Sequence, residues 1–299
     1  MRILVTGGTG FIGSNIVRKL IELGHEVLIT GTDDEQTIQD PRVTLLDLAA
    51  LGKEPKTLGH VDAVFHEAAD NDTTSLDRNG MMRANVDLSL LVFERAVENG
   101  CRNIVYASST AVYGNGPAPY KEDQPLQPLN PYAESKKLLE EEASAFGKAH
   151  TDVTMVGLRY CNVYGPGESH KGKRASMIYQ LAQQMKTGNP RIFRDGTQKR
   201  DYIYVKDVVR ANLLGLEAKE SCVVNCGSGS ATSFNDLVKI LNATLGTSRI
   251  PAYVDNPYEG RYQNHTECDM TLAKEKLGFI PEFDIQKGIA NYFASGRLL

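Results

Sequence analysis

Short apolar runs alternate with longer amphipathic stretches through the first half of the chain. Residues 3–6, 27–29, 43–46, 63–66, 104–107 and 153–158 are brief apolar runs and predict strands. Between them, 11–23, 84–98 and 132–148 bring an apolar residue back every three or four positions, the period of a helix with one buried face. The strand runs are apolar throughout, as strands covered on both faces are. Strands interleaved with such helices predict βαβ crossovers and an α/β fold with a doubly wound parallel sheet.

The second half is less regular. After the turn Tyr164-Gly165-Pro166-Gly167, the pattern predicts a helix near 176–186, a strand near 191–193 and a helix near 207–218. A strand at 223–226 and a helix at 234–243 follow. A boundary near residue 165 therefore divides the chain into 1–165 and a smaller α+β part, 166–299. No flexible linker joins them, and segments near 200–226 are expected to pack back on the first part.

Composition narrows the class. A chain of 299 residues buries roughly three quarters of its unfolded surface, so a large core is available. Its 41% hydrophobic and 23% charged residues are globular values, and a formal net charge of −4 argues against nucleic acid or an anionic membrane as partner. No apolar run approaches the ~18–20 residues of a membrane span, and the N-terminus turns polar too quickly for a signal peptide. Five scattered cysteines without a CxxC pair form neither a disulfide framework nor a zinc pattern. A cytoplasmic protein without a structural metal is expected.

The first strand runs directly into Thr6-Gly7-Gly8-Thr9-Gly10-Phe11-Ile12-Gly13, which opens the first helix. In a strand–turn–helix context each glycine has a task. Gly7 permits the tight turn, Gly10 lets a pyrophosphate approach the backbone, and Gly13 lets helix and strand pack closely. The helix N-terminus, with Phe11 and Ile12, then offers unpaired N–H groups to the anion. This is the Rossmann pattern, so 1–165 is expected to bind a dinucleotide, and the other part the substrate.

Tyr132-Ala133-Glu134-Ser135-Lys136 opens a helix after Asn130-Pro131, and tyrosine and lysine one turn apart share a face. A phenol near pKa 10 is a poor base at neutral pH. A neighbouring ammonium and a cationic nicotinamide are expected to lower it. Upstream, the strand ending in Ser108-Ser109-Thr110 brings hydroxyls to the carboxyl end of the sheet, where ligands of such folds sit.

The G-x-x-G-x-x-G spacing and the tyrosine–lysine pair resemble the extended short-chain dehydrogenase/reductases, and further motifs resemble their sugar-nucleotide epimerases. The resemblance implies NAD or NADP as cofactor and a nucleotide sugar as substrate. Ser109, ahead of Val112-Tyr113-Gly114, matches the catalytic hydroxyl beside Tyr132 and Lys136. The acidic residue expected at the end of the second strand falls on Gly31, between Thr30 and Thr32, and no arginine stands nearby. Glu67, Ala68 and Ala69 match a cofactor-contact segment, with Asn85 and Val163 also on the cofactor side. Asn162 and Arg200 match contacts to substrate, Arg200 to its pyrophosphate.

One branch is closest. Glu168 to Ser176, with His170-Lys171-Gly172, resembles the ADP-glycero-manno-heptose 6-epimerases, in which that lysine is a second base. Gly260-Arg261-Tyr262-Gln263 resembles their late substrate segment, placing Tyr262 on the sugar nucleotide. Lys173 stands where those enzymes carry a serine and Gln180 where they carry a histidine. The stretch from Phe193 to Arg200 is shorter and nearer the UDP-hexose 4-epimerases, the alternative reading. The sequence assigns Lys173, Gln180 and Phe193 to the substrate. A 4,6-dehydratase would need a carboxylate beside Ser109, and a non-catalytic binder would not need the Tyr–Lys pair. Helices 84–98 and 132–148 resemble those that pair across a two-fold in relatives, so a homo-oligomer is expected.

Overall fold

The computed structural model describes residues 1–31, 38–48, 51, 58–256 and 263–299. Seven parallel strands form the central sheet in the order β10 (Cys222–Cys226), β6 (Thr154–Tyr160), β5 (Asn103–Ser109), β4 (Ala63–His66), β1 (Arg2–Thr6), β2 (Glu26–Ile29) and β3 (Val43–Leu45). The order reverses between β1 and β4, which opens a crevice beyond their carboxyl ends.

Successive strand residues alternate between two cores, because side chains of a strand point to opposite faces. Ile3 and Val5 pack with Ile16, Val17 and Leu20 of α1 (Phe11–Glu22), whereas Leu4 packs on the other face with Val92 and Phe93. That second face is covered by a helix stack that begins earlier than the periodicity suggests. It runs as α2 (Arg78–Met82), a π-helical turn (Arg83–Asp87) and α3 (Leu88–Glu98). Asp77 caps its start by accepting from Gly80 N at 2.8 Å. The long helix α4 (Pro131–Ala149) packs beside it, with proline in its first turn and Asn130 accepting from Ala133 N at 2.9 Å.

Not every predicted strand is buried on both faces. β3 is the sheet edge, and its Thr44 and Leu45 are exposed, so the expectation of full burial fails there. After β6 the chain leaves the sheet for β7 (Asn162–Tyr164) and α5 (Met177–Met185), then returns at β10. β7 joins β9 (Lys199–Tyr204) and β11 (Ala231–Ser233) in a three-stranded sheet. β8 (Arg191–Phe193) pairs with β12 (Ala252–Val254). β9 escaped the hydropathy pattern because two of its buried residues, Arg200 and Asp201, are charged. α6 (Val205–Leu216) covers the first core, and α7 (Phe234–Leu245) and α9 (Ile285–Ala294) enclose a third, while α8 (Thr271–Leu277) packs on β10. Among the described residues no helix is long and apolar enough to cross a membrane.

Candidate active site

The crevice has two joined compartments, and the first is built mostly from backbone. Gly7, Gly10, Gly13, Thr30, Gly31, Ala68 and Ala69 line a cavity of about 570 Å³. Gly7 sits at φ +66°, and a Cβ there would press on Ala68 N. A Cβ on Gly13 would collide with the Gly7 carbonyl oxygen, so helix and loop approach only because both residues are glycine. Gly10 caps α1 without any side-chain bond, leaving the first N–H groups turned to the cavity. Thr30 pins the loop through Gly8 N, which donates to its carbonyl at 2.8 Å. A turn that is this closely packed because its residues are glycine, and that opens on a helix N-terminus, fits a dinucleotide pyrophosphate. Asp47 lines the same compartment as Thr30 and Gly31.

The second compartment, about 700 Å³, is lined by side chains. Ser109, Tyr132, Lys136, Asn162, Val163, Lys171, Lys173, Gln180, Phe193 and Arg200 all reach it, joined by Tyr160, Tyr202 and Phe234. Phe11, Ile12, Glu67, Ala69, Asn71, Lys171 and Arg174 line both compartments.

Of the three hydroxyls ending β5, only Ser109 bonds Tyr132. Ser108 donates instead to buried Glu140, which also takes a bidentate grip from Arg159 at 2.7 and 2.9 Å. Thr110 donates to the Tyr160 carbonyl at 3.2 Å. Lys136 is 2% exposed. Its Nζ donates to the Ala107 carbonyl at 2.9 Å and stands 6.0 Å from the Tyr132 ring centre.

The charges behave differently from the simple expectation. Burial raises the Tyr132 phenol, Glu67 adds to the rise, and the Ser109 bond only opposes it. Lys136 is not among the groups that lower it, and burial pushes its own ammonium down to about 8, which leaves it charged at neutral pH. Activation of the phenol therefore needs a further positive charge, which an oxidised nicotinamide carries. Glu67, raised to about 7 by burial, accepts from the Tyr160 hydroxyl at 2.8 Å, and Asn212 donates to that same hydroxyl.

Asn85 is 0% exposed. Its amide oxygen accepts from Asp70 N and its amide nitrogen donates to the Asp70 carbonyl and the Ser135 hydroxyl, tying the loop after β4 to α4. Thr32 and Tyr262, with neighbouring Gly260 and Arg261, lie outside the described residues.

On the substrate side, Asn162 donates to the Asp201 carbonyl at 3.2 Å, and Gln180 to the carbonyls of Ala175 and Lys173 at 2.7 and 3.1 Å. Arg200 lies 5.9 Å from the Phe234 ring and Lys171 5.4 Å from the Phe11 ring. Burial lowers the Lys171 ammonium. Sequence reasoning did not place Asn71, Asp47 or Tyr202, which come from loops and a polar strand without periodic signal. It also missed the convergence of Cys161, Cys268 and Asp201, whose sulfur and oxygen atoms lie within 4.8 Å of one another. The Asp201 carboxylate already accepts from Ser228 N, Ser228 Oγ, Gly229 N and Cys268 N, so it is a loop cap whose lone pairs are taken.

A parallel sheet with a glycine turn at its switch point belongs to the dinucleotide-binding class of α/β folds. Residues 3–227 match the NAD dependent epimerase/dehydratase family, and the chain belongs to that family. It is 33% identical to an ADP-L-glycero-D-manno-heptose-6-epimerase of Brachyspira hyodysenteriae, over 97% of this chain and 96% of that one. The ADP-L-glycero-D-manno-heptose-6-epimerase structure of Helicobacter pylori superposes with a TM-score of 0.88 at 34% identity, covering 98% of this chain and 95% of that one. A UDP-glucose 4-epimerase of Thermotoga maritima, solved with UDP-glucose, superposes with a TM-score of 0.89 at 32% identity, covering 99% of both. The family fixes NAD as the cofactor class, and the cradle described above suits it.

Proposed function

We propose that the protein inverts one carbon of a nucleotide-linked sugar through a transient keto sugar, with an ADP-linked heptose as substrate and its exocyclic C6 as the centre. A dinucleotide held by the glycine turn would supply the redox chemistry, taking up a hydride from the sugar carbon and giving it back to the opposite face. Ser109 hydrogen-bonds the reacting hydroxyl and Tyr132 takes its proton. Lys136, fixed on the Ala107 carbonyl, keeps positive charge beside the phenol. The keto sugar then reorients, and Lys171 serves as the proton-exchanging group on the other face. A second base is needed because the inverted carbon lies outside the ring, so one tyrosine cannot meet the oxygen in both orientations. Burial lowers the Lys171 ammonium, which suits a group that must exchange a proton near neutral pH. Arg200 is assigned to the nucleotide diphosphate, where its planar fork matches phosphate oxygens, and Asn162 to the sugar.

The observation that carries this reading is that Tyr132 and Lys171 line the same cavity as Ser109 and Lys136. The likeness to two heptose 6-epimerases supports the choice of substrate. A UDP-hexose 4-epimerase is the second reading, favoured by the equally good superposition of the Thermotoga maritima enzyme. Incubation with ADP-, UDP-, GDP- and CDP-sugars, followed by NMR of the product, tests both. Lys171→Ala should slow inversion on the order of 10²–10⁴-fold. Full activity of that variant would instead favour a single-base 4-epimerase.

A further inference from the structure

The loop from 165 to 176 is built as a strap. One buried carboxylate staples its ends, because Glu168 accepts from Gly165 N at 3.0 Å and from Ser176 N and Oγ at 2.6 and 3.0 Å. Asn15 of α1 ties its base to the glycine loop, donating to the carbonyls of Phe11 and Pro166 at 2.9 Å each. From that anchor the strap crosses the crevice. Lys171 passes over Phe11, and Arg174 Nη1 donates to Asn71 Oδ1 at 3.3 Å on the loop that follows β4. The strap thus joins the two lips of the dinucleotide crevice.

Its inner face carries basic side chains where the cofactor compartment lies beneath it. Arg174, Lys171 and His170 line the same cavity as Gly7, Gly10 and Gly13. The uncapped start of α1 and the strap therefore present positive potential to the space between them, and a diphosphate is the part of a dinucleotide that answers it. Lys173, by contrast, lines only the substrate compartment. Asn71 engages one of the five guanidinium donors, which orients the fork without consuming it.

We propose that Arg174 is a ligand of the cofactor diphosphate, clamping it from the side opposite the glycine loop so that the strap holds the dinucleotide through successive turnovers. This rests on the dinucleotide class and stands whichever sugar is inverted. Retention matters to an epimerase because the hydride taken from the sugar must return to it.

The test is the rate at which purified holoenzyme releases NAD when diluted. Arg174→Gln should release it about ten- to a hundredfold faster, the range of one charge-assisted bond, and Arg174→Lys should fall between Arg174→Gln and the parent. Added salt should hasten release from the parent more than from Arg174→Gln. Release at the parent rate from Arg174→Gln overturns the proposal. So does unchanged NAD release with weakened UDP-glucose or ADP-glucose binding, which would give the arginine to the substrate. A melting curve taken in saturating NAD checks that Arg174→Gln is folded. If it is not, Arg174→Lys decides: release faster than the parent supports the clamp, and release at the parent rate overturns it.

Discussion

The two compartments of the crevice are built on different physics. The cofactor side is shaped by main chain, where absent side chains at Gly7, Gly10 and Gly13 let the turn and the start of α1 approach closely around the cavity. The substrate side is shaped by side chains from β5, α4, β7, α5, β8 and β9, each delivered from a different stretch of sequence. The first has little room to vary, because a methyl on Gly7 or Gly13 collides with the backbone that frames it. The second is set by side chains, whose contents can change while the frame stays.

The wall behind both sides should be the most sensitive to breakage. Glu140 and Arg159 are a buried pair, 7% and 6% exposed at their side chains, and Glu140 also holds Ser108 beside Ser109. Glu140→Ala strands a buried guanidinium and should destabilise the fold by about 3–5 kcal/mol, read from the denaturant midpoint. An effect under about 1 kcal/mol would mean that water reaches the pair.

Next in size are the glycines. Gly13→Ala should force α1 off its loop, cost about 1–3 kcal/mol by overpacking and yield protein purified without NAD. Gly172→Ala on the strap, where nothing lies within 4 Å of an added Cβ, should cost about 1–3 kcal/mol through the strain of φ +54° and ψ −120° and leave the glycine turn able to hold NAD. Loss of NAD from both variants alike would remove the special place given to the glycine turn.

The smallest effect is on pH dependence. Burial raises Glu67 from 4.5 to about 7. Between those values the folded chain keeps a proton that the unfolded chain has lost, so this contribution is full below 4.5 and fades as pH rises through 7. His66, buried and held down near 3 from 6.5, acts in the opposite sense, adding stability as pH rises through that window. Glu67→Gln removes only the first contribution. Its melting temperature relative to the parent should climb between about pH 5 and pH 7.5, and a flat difference would show that Glu67 is solvated.

How much of this was legible follows from the same contrast. The glycine turn and the Tyr132–Lys136 spacing are local, so strand, turn and helix signals placed them without tertiary knowledge. Ser109 was harder, since three neighbouring hydroxyls read alike and only the fold shows Ser108 turned to Glu140 and Thr110 to Tyr160. β9 was invisible because it buries Arg200 and Asp201. The rise of the Tyr132 phenol could not be foreseen, as it depends on how deeply the ring sits and on Glu67.

The central claim is that the Tyr132 oxygen takes a sugar proton while hydride leaves for the dinucleotide. Stopped-flow absorbance of reduced cofactor, recorded as NAD-loaded protein meets a nucleotide sugar that it turns over, tests this directly. Tyr132→Phe should keep its NAD yet form reduced cofactor at least about 10²-fold more slowly than the parent. Reduction at the parent rate in that variant would contradict the claim.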